Sequence, residues 1–238
     1  MNIKKINWKK AFNYFVMLSL IFSIVFIVIA MTLAPTELDP TRPFERLKSE
    51  YVLMLLQCIV GVFAMLLPGM LKKKINLEIP SSMMLLYTLF LYCAIYLGEV
   101  RSFYYNVPHW DSILHTFSGA MLGALGFSFI NFLNKTERVP MNLSPLFVAV
   151  FAFCFAITMG VIWEFYEFFA DGLLHTNMQK FAFENGENLI GRMALMDTMK
   201  DLIVDAIGAV VMSIVGYISI KYKKGWVEKL LLVIRKPH

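Results

Sequence analysis

Residues 197–220 read Asp197-Thr-Met-Lys-Asp201-Leu-Ile-Val-Asp205-Ala-Ile-Gly208-Ala-Val-Val-Met-Ser-Ile-Val-Gly216-Tyr-Ile-Ser-Ile. At about 1.5 Å per residue, a helix of this length crosses the ~30 Å hydrocarbon core of a bilayer. Three aspartates stand in it at i, i+4 and i+8, which is one helix face. An Asp near the middle of a span costs roughly 2.5–3.5 kcal/mol, whereas each Ile, Val or Leu returns only about 0.3–0.6 kcal/mol. A lone helix in lipid cannot carry Asp201 and Asp205 on those terms. The acids must turn toward other helices and find partners there.

The rest of the chain supplies those helices. Five further apolar stretches, at 11–34, 51–71, 83–100, 111–133 and 145–170, are also of spanning length. Of the 238 residues 58% are hydrophobic and 16% charged, too apolar for an ordinary soluble domain. Strand-like alternation is absent, and lipid satisfies no backbone hydrogen bonds, so the spans are helices. The expected fold is all-α, a polytopic membrane bundle of six transmembrane helices over residues 1–220. A basic start (Lys4, Lys5, Lys9, Lys10) precedes the first span, as in a signal peptide. The apolar run is too long for that, and Pro35 follows Ala34 where cleavage would fall, so the helix is expected to be retained. Cys58, Cys93 and Cys154 all lie in apolar blocks and make neither a disulfide framework nor a zinc spacing.

Basic residues set the orientation. Fifteen of the 22 Lys and Arg fall in the first ten residues, in 72–82, in 134–144 and from 221 onward. The positive-inside rule then makes both termini cytoplasmic. The net charge of +5 reads as affinity for anionic lipid at the inner surface of the bilayer, with no nucleic-acid partner. Residues 221–238 form a basic cytoplasmic tail. Val227, Leu230, Leu231 and Ile234 recur at i, i+3, i+4 and i+7, which predicts an amphipathic helix in the headgroup layer. Tyr87, Tyr92, Tyr96, Phe103, Tyr104, Tyr105 and Trp110 read as an aromatic belt at the outer end of the third span.

With that topology, eight of the 17 acids lie in or at the outer ends of the last four spans: Glu99, Asp111, Glu164, Glu167, Asp171, Asp197, Asp201 and Asp205. His109, His115 and His175 fall on the same side. Asp111 and His115 share a helix face at i, i+4, and Glu164, Glu167 and Asp171 share another at i, i+3, i+7. Asp205 lies about 12 Å below Asp197, and Glu164 about 10 Å below Asp171. Gly119, Gly123 and Gly126 continue one stripe, and Gly208, Ala209 and Gly216 another. Small residues let helices approach closely, so the acidic stripes are expected to meet.

Facing carboxylates repel unless a proton or cation intervenes. Arg101, Arg192 and Lys200 are too few to neutralise the set. A divalent cation is the economical answer, and carboxylate oxygens with imidazole suit Mg, Mn, Fe or Zn. The expected ligands are Asp111, His115, Asp201 and Asp205, with Glu164 or Glu167 as a buried general base. Four further candidates each have a plainer alternative. His109 is also readable as a loop residue, Asp171 as a solvated interfacial acid, and Asp197 with Thr198 as a helix N-cap. Arg101 stands two residues from Glu99, on another face. Glu-x-x-His, His-Glu-x-x-His, Gly-x-Ser-x-Gly and phosphate-loop motifs are absent.

His109-Trp-Asp111-x3-His115, Trp163-Glu164-x2-Glu167-x3-Asp171 and Asp197-Thr198-x2-Asp201-Leu-x2-Asp205-x2-Gly208-Ala209 together resemble the YjdF-like family of bacterial inner-membrane proteins, whose function is unassigned. The likeness covers roughly residues 99–216 and implies a multi-pass protein of the bacterial cell membrane. More distantly the chain is similar to VanZ-like proteins, associated with glycopeptide resistance, in which Asp-Lys-x-x-His opens a helix. Here Ser112 replaces that Lys, and Asp205 falls where that pattern often has Asn.

Three functions fit these residues. The first is a metal-dependent hydrolase or transferase acting on a lipid or cell-envelope substrate at the outer leaflet. The second is a cation- or proton-coupled transporter, which requires polar residues to continue into the cytoplasmic half. The third is a scaffold whose acids serve only helix assembly.

Overall fold

The computed structural model describes residues 7–36, 46–135, 143–183 and 187–234, and statements about partners refer to these residues. The chain runs through α1 (Trp8–Leu33), α2 (Lys48–Ile75), α3 (Ser81–Leu91), the short α4 (Phe103–Asn106), α5 (Trp110–Lys135), α6 (Pro145–Leu174) and α7 (Met196–Lys221). α3 continues without interruption as a π-helical segment, Tyr92–Val100. Among the described residues six helices are thus long and apolar enough to cross a membrane, and they coincide with the six expected spans to within a few residues at each end. Local chemistry starts them. Ser144 accepts a hydrogen bond from Phe147 N at 3.2 Å, with Pro145 in the first turn of α6, and Asn7 caps α1 through Lys10 N.

Two groups of helices make the bundle. α5, α6 and α7 pack mutually around Ala124, Phe127, Ile130, Val148, Ala149, Ala152 and Met212. α1, α2 and the α3–π helix pack around Val16, Leu20, Ile27, Met54, Cys58, Leu91 and Ile95. Phe90 stacked on Phe117, with centroids 6.2 Å apart, and Trp110 Nε1 donating to Cys93 O at 3.2 Å join the two. The outward faces carry Phe22, Ile29, Phe63, Phe165, Ile203 and Ile214, the inverse of a water-soluble surface.

α7 shows why the acids are tolerated. Its buried positions are Asp201, Asp205, Gly208, Ala209, Met212, Ser213, Gly216 and Ser219, a single stripe, while Ile203, Ile207, Val210 and Val211 look outward. Glycines set the contact distance. A Cβ on Gly119 would run into the backbone carbonyl of Asp205, and one on Gly208 into that of Thr116. α5 and α7 therefore meet backbone to backbone at the level of the acids.

Hydrogen bonds sort the two ends of the bundle. Lys9 Nζ donates to Ser81 Oγ at 3.0 Å and Ser82 Oγ to Lys229 O at 2.6 Å, so the start of α1, the start of α3 and the tail share one end. The contacts of Arg46 with Ser102 and of Lys180 with Asp111 belong to the other.

The tail departs from its expected helix. Residues 226–230 form turns, and Val233–Ile234 pairs antiparallel with Leu77–Glu78. Ser219 Oγ accepts from Trp226 N at 3.0 Å and from Val227 N at 3.3 Å, which turns the chain back on the bundle, and Leu232 N donates to Ser128 Oγ at 3.1 Å. Val227 is buried, with Leu230 and Leu231 packed beside it on the α5–α7 core, so the apolar face finds protein instead of headgroups. Lys4, Lys5, Arg138, Arg235 and Lys236, counted above for orientation, lie outside the described residues.

Candidate metal centre

Asp111 and His115 stand one turn apart at the start of α5, on the side facing α7. His115 Nδ1 is 3.3 Å from Asp205 Oδ2, and Ser118 donates to Asp205 Oδ1 at 2.9 Å. With the carboxylate as acceptor, Nδ1 carries the hydrogen, and a cation bound at Nε2 would take that nitrogen's lone pair. Nε2 lies 3.7 Å from Asp111 Oδ1 and 4.0 Å from Asp201 Oδ2. One ligand atom each from Asp111, His115 and Asp201 falls within 4.8 Å of the others. Two ligands on one ion with bonds of about 2.1 Å stand roughly 3–4 Å apart, so a small inward movement would close this group on a cation.

Asp201 is 1% exposed, and its Oδ1 has no hydrogen-bond partner among the described residues. A buried carboxylate oxygen without a donor is costly, and a bound cation is one of the few things that would satisfy it. The donor set, two carboxylates and one imidazole, fits a hard or borderline divalent ion. Asp205, expected among the ligands, sits on the opposite ring nitrogen. It orients the imidazole in the manner of a carboxylate–histidine–metal arrangement and stands outside the three-residue group.

α6 brings Glu164 and Glu167, both buried, within electrostatic reach of His115. Glu167 Oε1 accepts from Trp163 Nε1 at 2.9 Å, one turn back on the same helix. Glu164 Oε2 accepts from Gln179 Nε2 at 3.3 Å, and its Oε1 has no partner among the described residues.

The remaining candidates separate cleanly. Asp171 is buried, not solvated, and accepts from Thr176 Oγ1 at 2.7 Å, Met178 N at 2.7 Å and Gln179 N at 3.0 Å. It therefore organises the loop after α6. Asp197 is no N-cap, since α7 begins after Leu195 without a side-chain cap. Instead it accepts from Lys180 Nζ at 3.0 Å. His109 and Arg101 are exposed and join neither group. Glu99 lines a small cavity with Arg46, Glu50 and Ser102, away from Arg101.

Three residues escaped the reading of the sequence. Lys180 pairs with both Asp111 and Asp197. Burial would lower its pKa, but those two carboxylates more than offset burial and hold the ammonium above the usual lysine value, so it is charged. Gln179 bridges Glu164 and Thr198, the latter at 3.0 Å. Tyr104 was placed in the aromatic belt. Its ring instead fills the space beside Gly98, within electrostatic reach of Glu99, Asp111, Glu167 and Asp201. Burial lifts that phenol well above its ordinary pKa, so it is a neutral hydrogen-bond donor near the acids. The one signal for Lys180 was its charge, in a segment that otherwise carries few basic residues between two acidic helices.

Six apolar helices, of which α5, α6 and α7 carry a one-ended group of acids and imidazole, define a multi-pass helical membrane protein with an intramembrane polar site. Over residues 14–222 the chain matches the family described as "Predicted membrane protein (DUF2238)", and it belongs to that family. It is 31% identical over 153 residues to an uncharacterized protein of Thermotoga maritima, an alignment covering 63% of this chain and 69% of that one. No solved structure matches it. The protein is accordingly a multi-pass protein of the bacterial membrane, embedded in the lipid bilayer. The match bears on the first likeness drawn from the sequence; the VanZ-like likeness is not shown by it.

Proposed function

We propose that this protein is a metal-dependent membrane enzyme whose site opens to the outer leaflet and acts on a lipid or lipid-linked cell-envelope substrate by hydrolysis or group transfer. The observation that carries this reading is the division of His115: Nδ1 is engaged by Asp205, while Nε2 faces Asp111 and Asp201, one of whose buried oxygens is unpartnered. Asp111, His115 and Asp201 would hold one divalent ion, which would supply electrophilic activation of a substrate oxygen or water. Glu164, through its free Oε1, takes the proton from the attacking nucleophile, and Gln179 fixes its other oxygen.

The outward orientation rests on the basic residues. Lys9, Lys10, Lys72, Lys73, Lys74, Lys221, Lys223, Lys224 and Lys229 belong to the end opposite the acids, which the positive-inside rule makes cytoplasmic. Anionic lipid of the inner surface would be their partner. A hydrolase or transferase is favoured over a carrier because, among the described residues, the buried stripe of α7 below Asp205 carries Ala209, Met212, Ser213, Gly216 and Ser219, with hydroxyls but no further ionisable side chain. A proton or cation relay is built on ionisable groups.

The test is metal analysis of the purified protein beside Asp201→Ala after reconstitution with Mg, Mn, Fe or Zn. The wild type should retain about one equivalent and the variant none. A wild type without stoichiometric divalent metal removes the basis of the reading.

A further inference from the structure

We propose that Lys180 is a resident cation standing in the second of two adjacent cation positions, so that the centre holds one divalent ion where its acids would otherwise hold two. The inference rests on the metal reading above and concerns a different set of atoms. Asp111 divides its oxygens: Oδ1 faces His115 Nε2, and Oδ2 contacts Lys180 Nζ. That is the disposition of a carboxylate bridging two cations, which in two-metal sites stand about 3.5–4 Å apart.

The ammonium lies between Asp111 Oδ2 on α5 and Asp197 Oδ1 on α7, the latter at 3.0 Å. Glu164, on α6, is linked to this pair through Gln179. Its Oε2 accepts from Gln179, the neighbour of Lys180, and Gln179 also reaches Thr198, the neighbour of Asp197. Glu164 is 4% exposed and its Oε1 has no partner among the described residues. Asp111 Oδ2 and Asp197 Oδ1 are carboxylate oxygens of the kind a Mg or Mn ion takes, with a cation already between them.

Charge balance explains why a tethered cation is useful. Asp111, Asp197, Asp201, Asp205, Glu164 and Glu167 are gathered at one end of α5, α6 and α7. One divalent ion leaves most of that charge uncompensated, and Lys180 supplies a further unit that does not dissociate. Its position is set by the backbone, since Asp171 holds Thr176, Met178 and Gln179 immediately before it. An ammonium has three donors, and Asp111 and Asp197 use two of them. The third has no partner among the described residues, which leaves it for an oxygen of the substrate. The site thereby performs with one metal and one fixed donor what two-metal sites do with a second ion.

The full chain in detergent and in nanodiscs, titrated with Mn(II) and counted by elemental analysis and electron paramagnetic resonance, decides the matter. The expected result is one equivalent in the wild type and in Lys180→Arg, two in Lys180→Met, and one again in Lys180→Met combined with Asp197→Asn. Lys180→Met holding a single equivalent with an unchanged thermal midpoint overturns the inference and leaves the metal reading intact. Should Lys180→Met fail to fold, the wild type alone suffices: an isolated Mn(II) spectrum at saturation supports the proposal, and a spin-coupled pair overturns it. A wild type that binds no manganese overturns the metal reading itself.

Discussion

His115 works through two nitrogens with different neighbours, and the two aspartates of α7 have correspondingly different roles. Asp201 faces Nε2 and Asp205 holds Nδ1. Loss of an orienting partner of a metal-bound histidine typically costs 10–100-fold in metal affinity. Asp205→Asn should accordingly weaken Mn(II) binding by about one to two orders of magnitude, whereas Asp201→Ala should abolish it, as read by titration calorimetry in detergent. Equal losses in the two variants would contradict the division of labour. Asp111 with His115, and Asp201 with Asp205, were legible in the sequence because a helix converts a spacing of four into a shared face, and because buried acids in a span have nowhere else to turn. Periodicity could not say which ring nitrogen each would meet. Lys180 and Gln179 were illegible for another reason: they come from a loop, where reach is set by turns anchored on Asp171 and no repeat predicts direction. His109 and Arg101 lie close in sequence to Asp111 but outside the helices that converge, and the structure leaves both exposed.

At the scale of elements, the closeness of α5 and α7 is what brings Asp111, His115, Asp201 and Asp205 together, and glycine is what permits it. A methyl at Gly119 or Gly208 would meet main-chain carbonyls that cannot rotate away. Gly119→Ala and Gly208→Ala should each destabilise the protein by about 1–3 kcal/mol, the usual range for overpacking. Gly172→Ala, where nothing lies within 4 Å, is the control and should unfold with the wild type. Denaturant unfolding in micelles checks all three; wild-type midpoints for both Gly119→Ala and Gly208→Ala would refute the close contact. The glycine stripes announced this packing in advance. The π-helical end of the third span did not announce itself, since Tyr92–Val100 is as apolar as an α-helix there would be. The tail misled for a related reason. Its i, i+3, i+4, i+7 pattern marks an apolar face without saying what covers it, and the hydroxyls of Ser219 and Ser128 steer it onto protein.

At the scale of the whole molecule, a cluster of acids with one imidazole lies at one end of an apolar bundle and basic residues at the other. With Cys58, Cys93 and Cys154 replaced, an impermeant maleimide applied to intact cells should label Ile190→Cys, which is exposed at the acidic end, and leave Lys73→Cys unlabelled. The reverse pattern would put the acidic cluster on the cytoplasmic side and exclude an outer-leaflet substrate. Orientation was read wholly from loop charge, and six spans from hydropathy, because both are properties of long stretches that no single contact decides. The most direct measurement of the central claim is pulsed electron paramagnetic resonance on the Mn(II)-loaded protein. Nitrogen coupling from one imidazole, lost in His115→Gln, is the expected result; bound manganese without nitrogen coupling, or coupling that survives His115→Gln, would contradict a metal held by His115.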